Sequence, residues 1–257
     1  MKKTLNIWFF TLLVLISCSQ PNSTFAVSAT APDHKIWDEL LKKHVRSDGF
    51  VDYKGMISEK AKLEKYLALL SSNAPNDSWS KNEKLAYWIN VYNAFTVKLI
   101  VDNYPLESIK DLNPIISIPT VNTIWAKDWF QIGGEDFSLD RVEHKILRKD
   151  FEEPRIHFAV NCASYSCPVL RPEAFTAAKV DKQLEEQAIN FINDPKRNQI
   201  TKDRIDVSKI FSWFGSDFNN GQTLIQFLNK YSKVKIDEDA QVKFMDYGWS
   251  LNDASKK

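Results

Sequence analysis

The chain has 257 residues, with 34 Lys and Arg against 33 Asp and Glu, a formal net charge of +1 and 44% apolar residues. A mean hydropathy of −0.35 excludes a polytopic membrane protein, and the even charge balance argues against a nucleic-acid binder, which carries a basic excess. Length and an aromatic content of 12% suit one large globular domain or two small ones.

Residues 1–17 read as a secretory signal. Lys2 and Lys3 form a basic start, and Ile7 to Ile16 form an apolar run shorter than the about 20 residues a bilayer span needs. The end of that run, Leu15-Ile16-Ser17-Cys18, resembles the lipobox of bacterial lipoproteins, in which the cysteine is acylated and becomes the new N-terminus. The alternative is an ordinary signal peptide cut further on, near Ala26. Loss of Lys2 and Lys3 with the signal moves the formal charge from +1 to −1. Residues 18–33, dominated by Ser, Thr, Ala, Asn and Pro, read as a flexible tether. The expectation is a bacterial cell-envelope protein held on the lipid bilayer through Cys18. Ser19 favours the outer membrane, facing the periplasm.

From residue 34 to 257 no second linker, repeat or low-complexity tract interrupts, and the expectation is a single α+β domain. The apolar spacing predicts helices over Ile36–Val45 and Lys60–Leu70, with a short strand and turn in "GFVDYKGM" between them. Ser80 and Glu83 form a capping box before a helix over Asn82–Asn103 that is apolar nearly all round, the signature of a central, buried helix. Strands are predicted at Ile115–Ile118 and Trp129–Ile132, the latter turning at Gly133-Gly134. Ser138 caps a predicted helix over Leu139–Arg148. The alternation of Arg155–Val160 predicts a strand, and Lys179–Ile192 a long helix. Aromatic-rich elements follow at Ile210–Phe218 and Leu224–Tyr231, with a closing strand at Val242–Met245. The fold class is therefore α+β, a small β-sheet that includes Arg155–Val160 packed around the central helix.

Several polar residues fall at apolar positions. Glu143 projects from the core-facing arc of its helix and needs a partner or a proton, with Arg155 one candidate partner. His144 lies at the edge of the same face. Asn90 and Asn93, three apart on the central helix, either hydrogen-bond a neighbouring loop or line a site. His157 lies five positions before Cys162, and Cys162 and Cys167 bracket "ASYS". Three readings of that pair compete: a disulfide; a metal site with at least two of His144, His157 and Glu143, for which the second cysteine pair of ordinary zinc modules is missing; and a thiol nucleophile at Cys162. No cofactor is implied.

"AYWINVYNAFTV", "SLDRVEHKILR", "PRIHFAVNCASYSCPVL" and "VSKIFSWFGSDF" resemble, in order, the motifs of the domain-of-unknown-function family 547, over roughly residues 80–220. The resemblance points to Asn90, Asn93, Glu143, His144, His157, Cys162 and Cys167, implies no settled reaction, and agrees with a secreted or lipid-anchored protein. A likeness to papain-like or transglutaminase-like enzymes departs at one point: the central helix carries Asn90 and Asn93 but no cysteine.

The functional expectation is a thiol-dependent hydrolase or acyl transferase acting on a peptide or cell-wall ligand. Cys162 attacks, His157 or His144 is the base, Glu143 orients the imidazole and Asn90 or Asn93 stabilises the oxyanion. The alternative is a non-catalytic binding or scaffold module with a Cys162–Cys167 disulfide.

Overall fold

A computed structural model describes residues 30–116 and 122–256. The expected signal, Cys18 and most of the tether lie outside the described residues.

The protein is a single α+β domain built on one helix. Helices α1 (Lys35–His44), α2 (Tyr53–Ser58) and α3 (Lys60–Ser72) lead to α4 (Lys81–Asn103). The Ser80 side chain accepts from the Glu83 N–H and the Glu83 carboxylate accepts from the Ser80 N–H, so the expected capping box forms. From Leu85 to Val101 every residue of α4 except Lys98 is buried. A helix without a polar face needs neighbours on all sides. Here α2, α3, the segment around Glu143 and the later helix α6 (Val180–Ile192) supply them. Among the described residues no helix is long and apolar enough to cross a membrane.

Strands β1 (Phe130–Ile132) and β2 (Glu135–Phe137) form an antiparallel hairpin whose turn residues Gly133 and Gly134 have φ of 61° and 85°, as a tight primed turn requires. Phe130 stacks on Phe95 of α4 at 3.9 Å, which joins the hairpin to the core. Arg141–Leu147 winds as a π-helix, continued by the single turn α5 (Arg148–Asp150). Of the strand expected over Ile115–Ile118, Ile115 and Ile116 are exposed and lie in a bend, and the remainder lies outside the described residues.

The strand expected over Arg155–Val160 is not one. Pro154–Phe158 is a 3₁₀ helix, so the small sheet does not include this segment. Pro154 presets the first helical φ, and the Glu153 carboxylate accepts the Arg155 N–H. Every residue from Ile156 to Asn161 is buried. The apparent alternation of apolar and polar residues therefore marks no solvent-facing side.

After α6 (Val180–Ile192) a three-stranded sheet forms in the order β3 (Gln199–Ile200), β4 (Arg204–Val207), β5 (Gln241–Phe244), antiparallel between the first two and parallel between β4 and β5. Short helices α7 (Ile210–Trp213), α8 (Gly215–Phe218) and α9 (Leu224–Leu228) pack beside it. Phe158, Phe191, Phe211, Phe218 and Phe227 form a second aromatic core there. The chain then returns to the first core. The Tyr165 N–H donates to Ser250 O at 2.7 Å, the Asn252 N–H to Ala163 O at 3.0 Å, and the Ala254 N–H to Val51 O at 2.9 Å.

Two amides on α4 hold the surrounding chain. Asn90 donates to Phe175 O at 2.7 Å and accepts from its N–H at 3.1 Å. Asn93 donates to Ala159 O at 2.9 Å and accepts from the Asn161 N–H at 2.8 Å. Each side chain satisfies two buried backbone groups that lie outside helix and sheet ladders. Asn93→Ala would leave both groups unpaired, a loss of roughly 2–6 kcal/mol at 1–3 kcal/mol for each. Urea unfolding is expected to show a lower midpoint with an unchanged slope. A loss under about 0.5 kcal/mol, the level of an ordinary surface change, would contradict the clamp.

Candidate active site

Glu143, His144, His157 and Cys162 open onto one cavity of about 650 Å³ between the two aromatic cores. Tyr92, Asp140 and Arg148 line it from the side of the first core, and Ile210, Trp213 and Phe214 from the side of the second. Tyr247 and Trp249, on the returning C-terminal segment, complete the wall.

Cys162 follows directly on the Asn93 clamp. The Asn161 side chain donates to Pro168 O at 2.7 Å and accepts from the Ala163 N–H at 2.9 Å, which closes the loop into a tight turn. Ala163 takes φ of 59°, a left-handed conformation uncommon for a residue with a Cβ. Arg197 fixes the far side of the loop, donating to Cys167 O at 2.8 Å and Tyr165 O at 3.1 Å.

The turn gathers donors around one sulfur. The Cys162 and Cys167 sulfurs share a hydrogen bond at 2.9 Å, and the hydroxyls of Ser164 and Tyr247 approach Cys162 Sγ at 3.1 and 3.3 Å. Both cysteines are free. The hydrogen bond from Cys167 is the largest influence on Cys162, burial opposes it, and Ser164 and Tyr247 add to it. Together they lower the Cys162 thiol to about 6. Cys167, buried behind it, moves the other way, because burial and the neighbouring thiolate disfavour a second negative charge.

Glu143 is 7% exposed. Burial, then the charges of Cys162 and Asp140, raise its carboxyl to about 8, against a hydrogen bond from Tyr92 and the pull of Arg148. Arg155 is not its partner. That guanidinium binds Glu153, Asp181 and Glu185 on another face. At neutral pH the site thus holds a thiolate and a carboxylic acid, the reverse of the ordinary order.

His157 backs Glu143. Its ring stacks on Phe214 at 4.0 Å, and Nε2 lies 2.8 Å from Asp217 Oδ2. Arg148 grips the same carboxylate with two bonds of 2.6 and 2.8 Å. Burial works to raise Asp217, but the bonds from Arg148 and His157 overcome it and hold the carboxyl below its usual range. A carboxylate only accepts, so His157 Nε2 carries the proton. The buried Nδ1, lowered in basicity chiefly by desolvation, is an unpartnered acceptor 3.8 Å from Glu143 Oε1.

His144 stands at the mouth. Burial, followed by the charge of Arg148, lowers it to about 4, and Nδ1 accepts from Arg148 at 3.1 Å. Neither histidine hydrogen-bonds Cys162. Asn90 and Asn93 do not line the cavity; both amides are spent on the backbone. Among the described residues no group of three or more His, Cys, Asp or Glu is arranged to hold a metal ion.

Tyr92, Arg148, Ser164, Asp217 and Tyr247 join the site without having been singled out by the sequence. Asp217 carried one local signal, as the lone acid in the aromatic run Ile210–Phe218. Tyr247 carried none, since it arrives from the distant C-terminal segment.

The fold and site define an α+β domain with a cradled thiol beside a buried carboxylic acid. Residues 76–192 match the family described as "Protein of unknown function, DUF547", and the chain resembles that family from the start of α4 through the cysteine loop to the end of α6. The segment Val207–Phe218, with Asp217, lies beyond the match. No curated protein and no solved structure matches the chain.

The inverted pair has a consequence for stability. A carboxyl of this type ordinarily titrates near 4.5 and a thiol near 9.0. Between about pH 6 and 8 the folded pair (thiolate, acid) and the unfolded pair (thiol, carboxylate) each bind one proton. The pair then contributes no pH dependence in that window. Single substitutions unbalance it. In Cys162→Ser the folded chain keeps a Glu143 proton that the unfolded chain has lost, so stability falls from pH 6 to 8. In Glu143→Gln the unfolded chain keeps a thiol proton that the folded chain has lost, so stability rises. The slopes approach about 1.4 kcal/mol per pH unit. Urea unfolding at pH 6, 7 and 8 reads all three, and parallel profiles would mean that folding moves no proton between the two groups.

Proposed function

We propose that the chain is a thiol-dependent hydrolase or acyl transferase of the cell envelope, with Cys162 as nucleophile and Glu143 as the acid and base. One observation carries this reading: the activated sulfur and the protonated carboxyl open onto the same cavity. A thiolate held by the Cys167 thiol, the Ser164 N–H and the Tyr247 hydroxyl, which itself accepts from the Ser164 hydroxyl, needs no histidine to deprotonate it.

The sulfur attacks an acyl carbonyl carbon, and the carbonyl π pair moves to oxygen. Glu143 gives its proton to the departing amine or alkoxide as the carbon–leaving-group bond breaks, leaving a thioester. The Glu143 carboxylate then takes a proton from water, or from an acceptor hydroxyl or amine, as that group attacks and Cys162 departs as thiolate. His157 is a positioning residue: Asp217 and Arg148 fix its tautomer, and its free Nδ1 faces Glu143. The sequence expectation of a histidine base oriented by Glu143 is thereby reversed in role.

The aromatic wall of Trp213, Tyr247 and Trp249 suits sugar faces and apolar peptide side chains, which supports a peptide or peptidoglycan fragment as substrate. The free thiols weigh against a binding module built on a structural disulfide.

The test is a panel of acyl thioesters, p-nitrophenyl esters and muropeptides, with intact mass following the acyl adduct on Cys162. The pH profile of kcat/KM is expected to rise near 6 and fall near 8, as apparent values of the coupled pair. Glu143→Gln should slow turnover about 10²–10⁴-fold and abolish the alkaline fall. Turnover that survives Cys162→Ser would end the proposal.

The envelope address rests on Leu15-Ile16-Ser17-Cys18. Metabolic labelling with a palmitate analogue is expected to mark the wild type and not Cys18→Ala, and equal labelling of both would remove the anchor.

A further inference from the structure

The two cysteines stand in unequal positions. Both border the cavity, but Cys162 is half-buried whereas Cys167 is only 4% exposed. Their sulfurs are 2.9 Å apart, against about 2.05 Å in a disulfide, so less than 1 Å of approach separates contact from a bond. Both belong to one loop, tied to the Asn93 clamp at Asn161, to Arg197 at Tyr165 and Cys167, and to the C-terminal segment at Ala163 and Tyr165. The ties at either end hold the partners together in the reduced state.

We propose that Cys162 and Cys167 are a reversible redox pair: a small peroxide entering the cavity oxidises Cys162, and Cys167 resolves the product into a disulfide that closes the site. The cavity reaches Cys162 from solvent, and Cys167 is already its nearest neighbour. In the first step the Cys162 thiolate attacks one peroxide oxygen and the O–O bond breaks. The departing oxide takes a proton from Glu143, giving a sulfenic acid and one molecule of water or alcohol. In the second, the Cys167 sulfur attacks Cys162 Sγ, the S–O bond breaks and the hydroxide leaves with the Cys167 proton as water. Two electrons pass from two thiols to one peroxide. A dithiol reverses the change by exchange. The disulfide removes the lone pair that attacks acyl groups, so silencing of turnover rests on the proposed function. The redox pair itself stands on the geometry of the loop.

Both cysteines lie on one tryptic peptide, Ile156–Lys179, because Arg171 precedes Pro172. The full chain, reduced and freed of reductant, is treated with hydrogen peroxide, quenched with iodoacetamide and mapped. The expected product is this peptide 2 Da lighter and closed to alkylation, restored by dithiothreitol under native conditions. Its formation should be about tenfold slower at pH 5 than at pH 7, following the thiolate fraction. Cys167→Ser, which keeps a hydrogen-bonding group beside Cys162, should instead gain 32 Da as an irreversible sulfinic acid. Wild type that goes directly to the 32 Da adduct overturns the proposal, as does a linked peptide that native dithiothreitol cannot open. Mass reads the pair without turnover. A disulfide that forms in a protein inert toward every acyl substrate would leave the redox pair standing and remove the hydrolase.

Discussion

The site depends on one side-chain amide. Asn93 lies at the middle of α4, where no water reaches, and its carboxamide satisfies Ala159 O and the Asn161 N–H together. Those two groups flank Val160, between His157 and Cys162. Without a partner, a buried strap of irregular backbone would be strained toward solvent, and the spacing of imidazole and thiol would be lost. The helix is buried all round because it must anchor chain on several sides, and Asn90 repeats the device one turn earlier at Phe175. Two asparagines that look like functional residues in an apolar helix act on the backbone. They are the frame of the site.

On that frame, burial and hydrogen bonding pull two acids apart. Cys162 ends among donors and Glu143 among apolar groups and negative charge, so the thiol ionises before the carboxyl. Asp217 completes the arrangement. Gripped by Arg148 and His157, it stays ionised and keeps the imidazole proton on Nε2, away from Glu143. A row of polar groups runs from Arg148 through Asp217 and His157 to Glu143, with one link, at 3.8 Å, longer than a hydrogen bond. Substrate closing on the cavity is the kind of event that shortens such a link.

The site also draws its parts from chain far apart in sequence. Tyr247 and Trp249 come from a C-terminal segment that runs back beside Ala163 and Tyr165 and reaches Val51. Phe214 and Asp217 come from the second aromatic core, whereas Tyr92 and Glu143 come from the first. A cavity at such a junction forms only when both cores are folded and docked. Loss of the C-terminal segment would remove the cradle hydroxyl and two of the three rings of the aromatic wall without touching a residue within the matched stretch 76–192.

Patterns within a few turns of chain were legible from the amino acids alone: α4 with its Ser80–Glu83 box, the Gly133-Gly134 hairpin, α6, and the unusual placement of Glu143, His157 and Cys162. Periodicity and capping are local, so sequence order carries them. The alternation of Arg155–Val160 mimics a half-exposed strand, whereas Ile156 to Val160 are all buried and Pro154 starts a 3₁₀ turn. The partners of each polar group were decided by tertiary structure. Arg155 pairs with Glu153, Asp181 and Glu185 instead of Glu143, the asparagines bind loops, and Tyr247 and Asp217 arrive from beyond the motifs. Which acid keeps its proton was decided there too. Composition states that a thiol and a carboxyl are present, but only the solvent, charges and donors that folding brings around each set the order in which they ionise.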